Sequence, residues 1–84
     1  MVYVSDGRRK AHSISRFHRQ LGYLIGGARR ERDMKQEALA HEAHIQRSFL
    51  SKVECGKVDV SIEIVYRIAK AMGMTLAQLL KDLG

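Results

Sequence analysis

Residues Gln36–Glu54 read QEALAHEAHIQRSFLSKVE, and two different molecules could be built on them. The cluster His41-Glu42-Ala43-His44 holds the residue types of a zinc site. The alternative is a pair of short helices joined at His44. A helical zinc pair needs histidines that point together, a third ligand and an open position. His41 and His44 are three residues apart, but the apolar spacing breaks at His44, which puts that residue in a turn. The cluster is also not the H-E-x-x-H spacing of zinc hydrolases. No metal site is expected, and His41 reads as a surface residue.

The helix pair is the better reading. Leu39, Ala40 and Ala43 form one apolar face, and Ile45 restarts the pattern with Leu50 and Val53 inward. Gly56, just past the last periodic residue, is a natural stop. Projecting Gln46–Cys55 at about 100° per residue places Ser48 and Lys52 almost opposite Leu50 and Val53. Ser51 and Cys55 share that outer face, Arg47 flanks it, and Phe49 and Glu54 lie at its borders. Short hydroxyls and two cations on one face suit base edges and phosphates.

The pattern extends in both directions. Upstream, Leu21, Leu24, Ile25 and Ala28 fall at i, i+3, i+4 and i+7 and predict a helix ending near Arg32. Gly22, Gly26 and Gly27 weaken it by roughly 1 kcal/mol each relative to Ala. Asp33, with Gln36 three residues on, reads as the cap of the next helix. Downstream, Gly56–Val60 is a loop and Ser61 caps a fourth helix with Ile62, Val65, Ile68, Ala69 and Met72 as its stripe, ended by Gly73. Thr75 and Gln78 form a capping box for a last short helix carrying Leu76, Leu79, Leu80 and Leu83. Nothing reads as a strand. The expected fold is all-α, a compact five-helix bundle over residues 21–84. A basic arm, residues 1–20, precedes it or extends helix one, since Ile14, Phe17, His18 and Leu21 continue the spacing.

A chain of 84 residues is one domain. Its single cysteine, Cys55, cannot form an internal disulfide, and the expected location is the cytoplasm. No apolar run approaches the ~20 residues of a membrane span. Residues 1–32 hold eight basic and two acidic residues, a net of +6, whereas residues 33–84 hold seven of each sign. Positive charge concentrated in the first third, including Arg8, Arg9 and Lys10, points to a polyanion. No nucleophile–base order, paired carboxylates or glycine-rich phosphate loop emerges, so neither an enzyme nor a cofactor is expected.

Residues 21–83 resemble the Cro and phage-repressor (XRE-type) helix-turn-helix family. That pattern wants Gln first, then apolar and small residues at positions four and five, met by Gln36, Leu39 and Ala40. It wants apolar residues at positions ten, fifteen and eighteen, met by Ile45, Leu50 and Val53. The stretches Val53–Lys57 (VECGK) and Ser61–Leu80 (SIEIVYRIAKAMGMTLAQLL) continue the match, and Arg29 aligns with an arginine that commonly pairs with the glutamate at Glu54. His44 replaces the usual turn Gly, Asp33 replaces a common Gly before helix two, and Asp59-Val60 stands where the family often has Pro. The turn position favours a left-handed backbone, which His tolerates at some cost.

The resemblance implies a lambda-repressor-like domain that binds a (pseudo)palindromic operator in double-stranded DNA as a homodimer. It implies base reading by Arg47, Ser48 and Lys52, with Gln46 and Ser51 as helpers, and phosphate contacts from Gln36 and Lys57. Arg8, Arg9 and Lys10 of the arm add backbone affinity. The last helix, with Leu76, Leu79, Leu80 and Leu83, is the expected dimer surface. The stretch Ile45–Glu54 (IQRSFLSKVE) is also similar to the recognition helix of restriction–modification controller proteins. A toxin or RNA polymerase is a candidate further protein partner. The alternative is an antitoxin-type module that neutralises a toxin and autoregulates its operon.

Overall fold

The computed structural model describes residues 16–83. Five helices follow one another: α1 (Arg16–Glu31), α2 (Gln36–Ala43), α3 (Arg47–Glu54), α4 (Ile62–Ala71) and α5 (Leu76–Leu80). No strand occurs among the described residues. Helix α1 starts five residues before Leu21, so Phe17 and His18 belong to it. Arg8, Arg9 and Lys10 lie outside the described residues.

Ile25, Leu39, Leu50 and Ile68 are fully buried and come from four different helices. Helices α1–α4 therefore share one core, and Leu79 brings α5 into it. Fully burying each such side chain contributes about 1.5–3 kcal/mol.

The first four helices all end by the same device. In each, a residue with positive φ closes two bonds back onto the last turn, the Schellman pattern. For α1 the pair is Asp33 N–H to Arg30 C=O (3.0 Å) and Met34 N–H to Arg29 C=O (3.1 Å). The corresponding pairs run from His44 and Ile45, from Gly56 and Lys57, and from Gly73 and Met74. The four φ angles are 53°, 60°, 70° and 73° for Asp33, His44, Gly56 and Gly73. The left-handed turn expected at His44 is thus present.

Three expectations need correction. Asp33 ends α1 instead of capping α2, whose N-cap is Lys35 with no side-chain cap bond. Aspartate suits both places, and the tight connection here requires the left-handed one. Ile62 is 64% exposed and not part of the buried stripe of α4. It is the first residue of the helix, turned away from the core that Val65, Ile68 and Ala69 reach. Helix α5 stops at Leu80, so Leu83 follows it in the terminal turn. The caps at Ser61 and at Thr75–Gln78 form as read, the first with Ile64 N–H donating to Ser61 Oγ at 3.2 Å.

Candidate nucleic-acid interface

Helix α3 is set by its two buried anchors, Leu50 and Val53. With those inward, Gln46, Arg47, Ser48, Lys52 and Cys55 are exposed and Ser51 is half-buried. Gln46, Arg47, Ser48, Ser51 and Lys52, all expected to read bases, therefore share the outward side of one eight-residue helix and its cap.

The inner side is held very closely by α1. A Cβ on Gly22 would strike the Val53 carbonyl oxygen and lie 2.6 Å from that of Glu54. A Cβ on Gly56 would lie 2.7 Å from Arg19 Cα. Glycine at these two positions lets the backbones touch, which no other residue would allow.

An ion pair locks the same junction. Arg29 Nε donates to Glu54 Oε2 at 2.7 Å and Arg29 Nη2 to Glu54 Oε1 at 3.0 Å, a bidentate fork. Arg29 Nη1 donates to the Met34 carbonyl at 2.8 Å, and Gln36 Nε2 donates to Glu54 Oε1 at 3.1 Å. The two charged side chains are only 13% and 8% exposed. One arginine thus joins α1, the last residue of α3 and the entrance to α2. From the other side, Arg67 of α4 donates to the His44 carbonyl at 3.4 Å, bracing the turn between α2 and α3.

The remaining expected residues fall in separate places. Gln36, at the start of α2, already spends one amide hydrogen on Glu54. Lys57 is exposed directly after Gly56, at the far end of α3. Leu79 is 3% exposed and packs within the protomer, so it is not available to a partner. Leu76, Leu80 and Leu83 are half-buried. Leu80 and Leu83 line an apolar groove with Phe17, Leu21, Val60, Ile62 and Val65. Phe17 and Ile62 are 52% and 64% exposed, and sequence reasoning missed both as surface groups because their spacing matched a core stripe. Among the described residues no three His, Cys, Asp or Glu side chains are placed to hold a metal ion. No described helix is long and apolar enough to cross a membrane.

The family pattern described as Helix-turn-helix matches residues 27–79, more than half of the chain. The chain belongs to the helix-turn-helix family. That places it among DNA-binding regulators. It is 34% identical over 65 residues to control protein C.MunI of a Mycoplasma species, covering 76% of this chain and 88% of that one. It is similar to the crystal structure of the restriction-modification controller protein C.AhdI from Aeromonas hydrophila. There the identity is 26%, the TM-score 0.71, and the match covers 73% of this chain and 92% of that one. The controller protein C.Esp1396I, solved as a tetramer with its natural 35 base-pair operator, has the same fold. It matches at 22% identity and a TM-score of 0.76, over 80% of this chain and 88% of that one.

Proposed function

We propose that this protein is a sequence-specific transcriptional regulator of the restriction–modification controller type, binding a (pseudo)palindromic operator as a homodimer. The observation that carries the reading is α3: buried on Leu50 and Val53, clamped at Glu54, and open along Arg47, Ser48 and Lys52. Arg47 and Lys52 are the natural donors to guanine O6 and N7, and Ser48 pairs with several bases. Gln46 and Ser51 assist. Gln36, with its second amide hydrogen, and Lys57 take phosphates on either side of the groove. The arm residues Arg8, Arg9 and Lys10 add salt-sensitive affinity through counterion release.

One such helix spans only a few base pairs, which favours two copies with half-sites about 34–36 Å apart. The groove of Phe17, Ile62, Leu80 and Leu83 is the proposed seat of the second copy, with Leu76 at the start of the same helix as Leu80. The operator-bound tetramer of C.Esp1396I supports assembly of copies on DNA. A Leu80→Glu variant is expected to be folded and monomeric by sedimentation; a folded dimer would exclude this surface.

Selection of sites from random duplex DNA at a fixed ~150 mM salt tests the reading. Wild type is expected to enrich a pseudo-palindrome. Arg47→Ala is expected to relax one base per half-site. No enriched sequence for wild type would overturn the proposal.

A further inference from the structure

Six arginines stand between residues 16 and 67, apart from Arg47. Arg29 and Arg67 are half-buried, Arg32 is exposed, and all three donate to protein acceptors. Arg29 holds Glu54, Arg32 Nε donates to the Met72 carbonyl at 3.0 Å, and Arg67 reaches the His44 carbonyl. Arg16, Arg19 and Arg30 are exposed. At 100° per residue these three and Tyr23 fall within an arc of roughly 60° on α1, along a rise of about 21 Å. Tyr23 is 73% exposed, the most exposed large hydrophobic residue described.

That arc borders the line of contact with α3. A Cβ on Gly26 would lie 3.1 Å from Arg30 Nη1 and 3.2 Å from Glu54 Oε1, so Arg30 hangs over the α1–α3 junction. The Glu54 charge there is already matched by Arg29. Arg19 sits against Gly56, next to Lys57. Arg16, Arg19 and Tyr23 line a shallow depression with Gln20, Leu24 and Asp82. Exposed arginines therefore continue from the far end of α3 along α1.

We infer that this face of α1 is a second contact with the DNA backbone, in which Arg16, Arg19, Arg30 and the Tyr23 hydroxyl bind phosphates beside the groove that α3 reads. The inference rests on the reading of α3 above. Its chemistry is that of positioning and affinity: arginine and tyrosine donate to phosphate oxygens and carry no base information. A row of cations along a straight helix fits a row of phosphates.

The test compares wild type with the variant Arg16→Gln/Arg19→Gln/Arg30→Gln. Glutamine keeps helix propensity. Binding is measured against salt on the selected operator and on random duplex of equal length. The slope of log K against log salt is expected to fall by about 2–3, at roughly 0.9 per phosphate lost. Affinity should fall by the same factor on both duplexes, with thermal unfolding unchanged. A wild-type slope in a folded variant would overturn the inference and leave the face to an acidic protein partner. A loss confined to the operator would also overturn it. If the Arg19 substitution disturbs the junction at Gly56, the pair Arg16→Gln/Arg30→Gln answers the same question with an expected fall of about 2. If wild type shows no preferred site, the reading of α3 fails, while the slope on random duplex still decides this one.

Discussion

The inner side of α3 meets α1 with no room for a single methyl group at Gly22, whereas its outer side is open to solvent at Arg47, Ser48 and Lys52. The two sides of one short helix thus face opposite demands. The inner side sets angle and depth, through backbone contact and a forked ion pair. In the proposed reading the outer side only has to present donors. Stability and recognition should therefore be separable by mutation, with changes at the junction moving both and changes on the face moving binding alone.

The largest expected effect is Glu54→Ala. Removing one partner of a mostly buried pair costs ~3–5 kcal/mol, and DNA affinity should fall through loss of folded protein. Denaturant unfolding beside binding checks this; a variant that melts like wild type yet does not bind would break the comparison. Gly22→Ala comes next, with overpacking against the Val53 and Glu54 carbonyls costing ~1–3 kcal/mol. On the outer side, Arg47→Ala should remove ~1–3 kcal/mol of base discrimination. Its stability should stay within about 0.5 kcal/mol of wild type, as for most surface changes. The smallest effects run the other way. A Cβ on Gly27 would meet nothing within 4 Å, so Gly27→Ala should add about 1 kcal/mol by helix propensity. His44→Gly should add roughly 0.5–1 kcal/mol, relief of the left-handed strain outweighing the lost chain stiffness.

Gly22 and Gly27 also show where sequence reasoning reaches its limit. Both read only as weak points in a helix. In the folded chain Gly27 is a weak point and Gly22 is a contact, and the difference lies wholly in what packs opposite. Helix number, the caps at Ser61 and Thr75, and the stops at Gly56 and Gly73 were legible, because each depends on residues within four positions. The pairing of Arg29 with Glu54 was legible only through the family resemblance, since 25 residues separate the two. Gln36 as a donor to Glu54 was not legible, nor was Ile62 as a surface residue, because both depend on how helices cross. Asp33 was misread because aspartate serves equally as a helix start and as a left-handed stop. The row of Arg16, Arg19 and Arg30 on α1 was visible only as net charge until the helix placed them along one side.

The repeated left-handed stop has a kinetic consequence. It keeps all four connections short, the longest running from Cys55 to Ser61, so no long loop has to be closed before the helices meet. Small helical bundles fold in microseconds to milliseconds. The sequence has no proline, so no peptide-bond isomerisation lasting tens of seconds stands in the way. Ribosomes add only about 5–20 residues each second. Folding of each copy should then keep pace with its synthesis, leaving assembly of two copies as the concentration-dependent step.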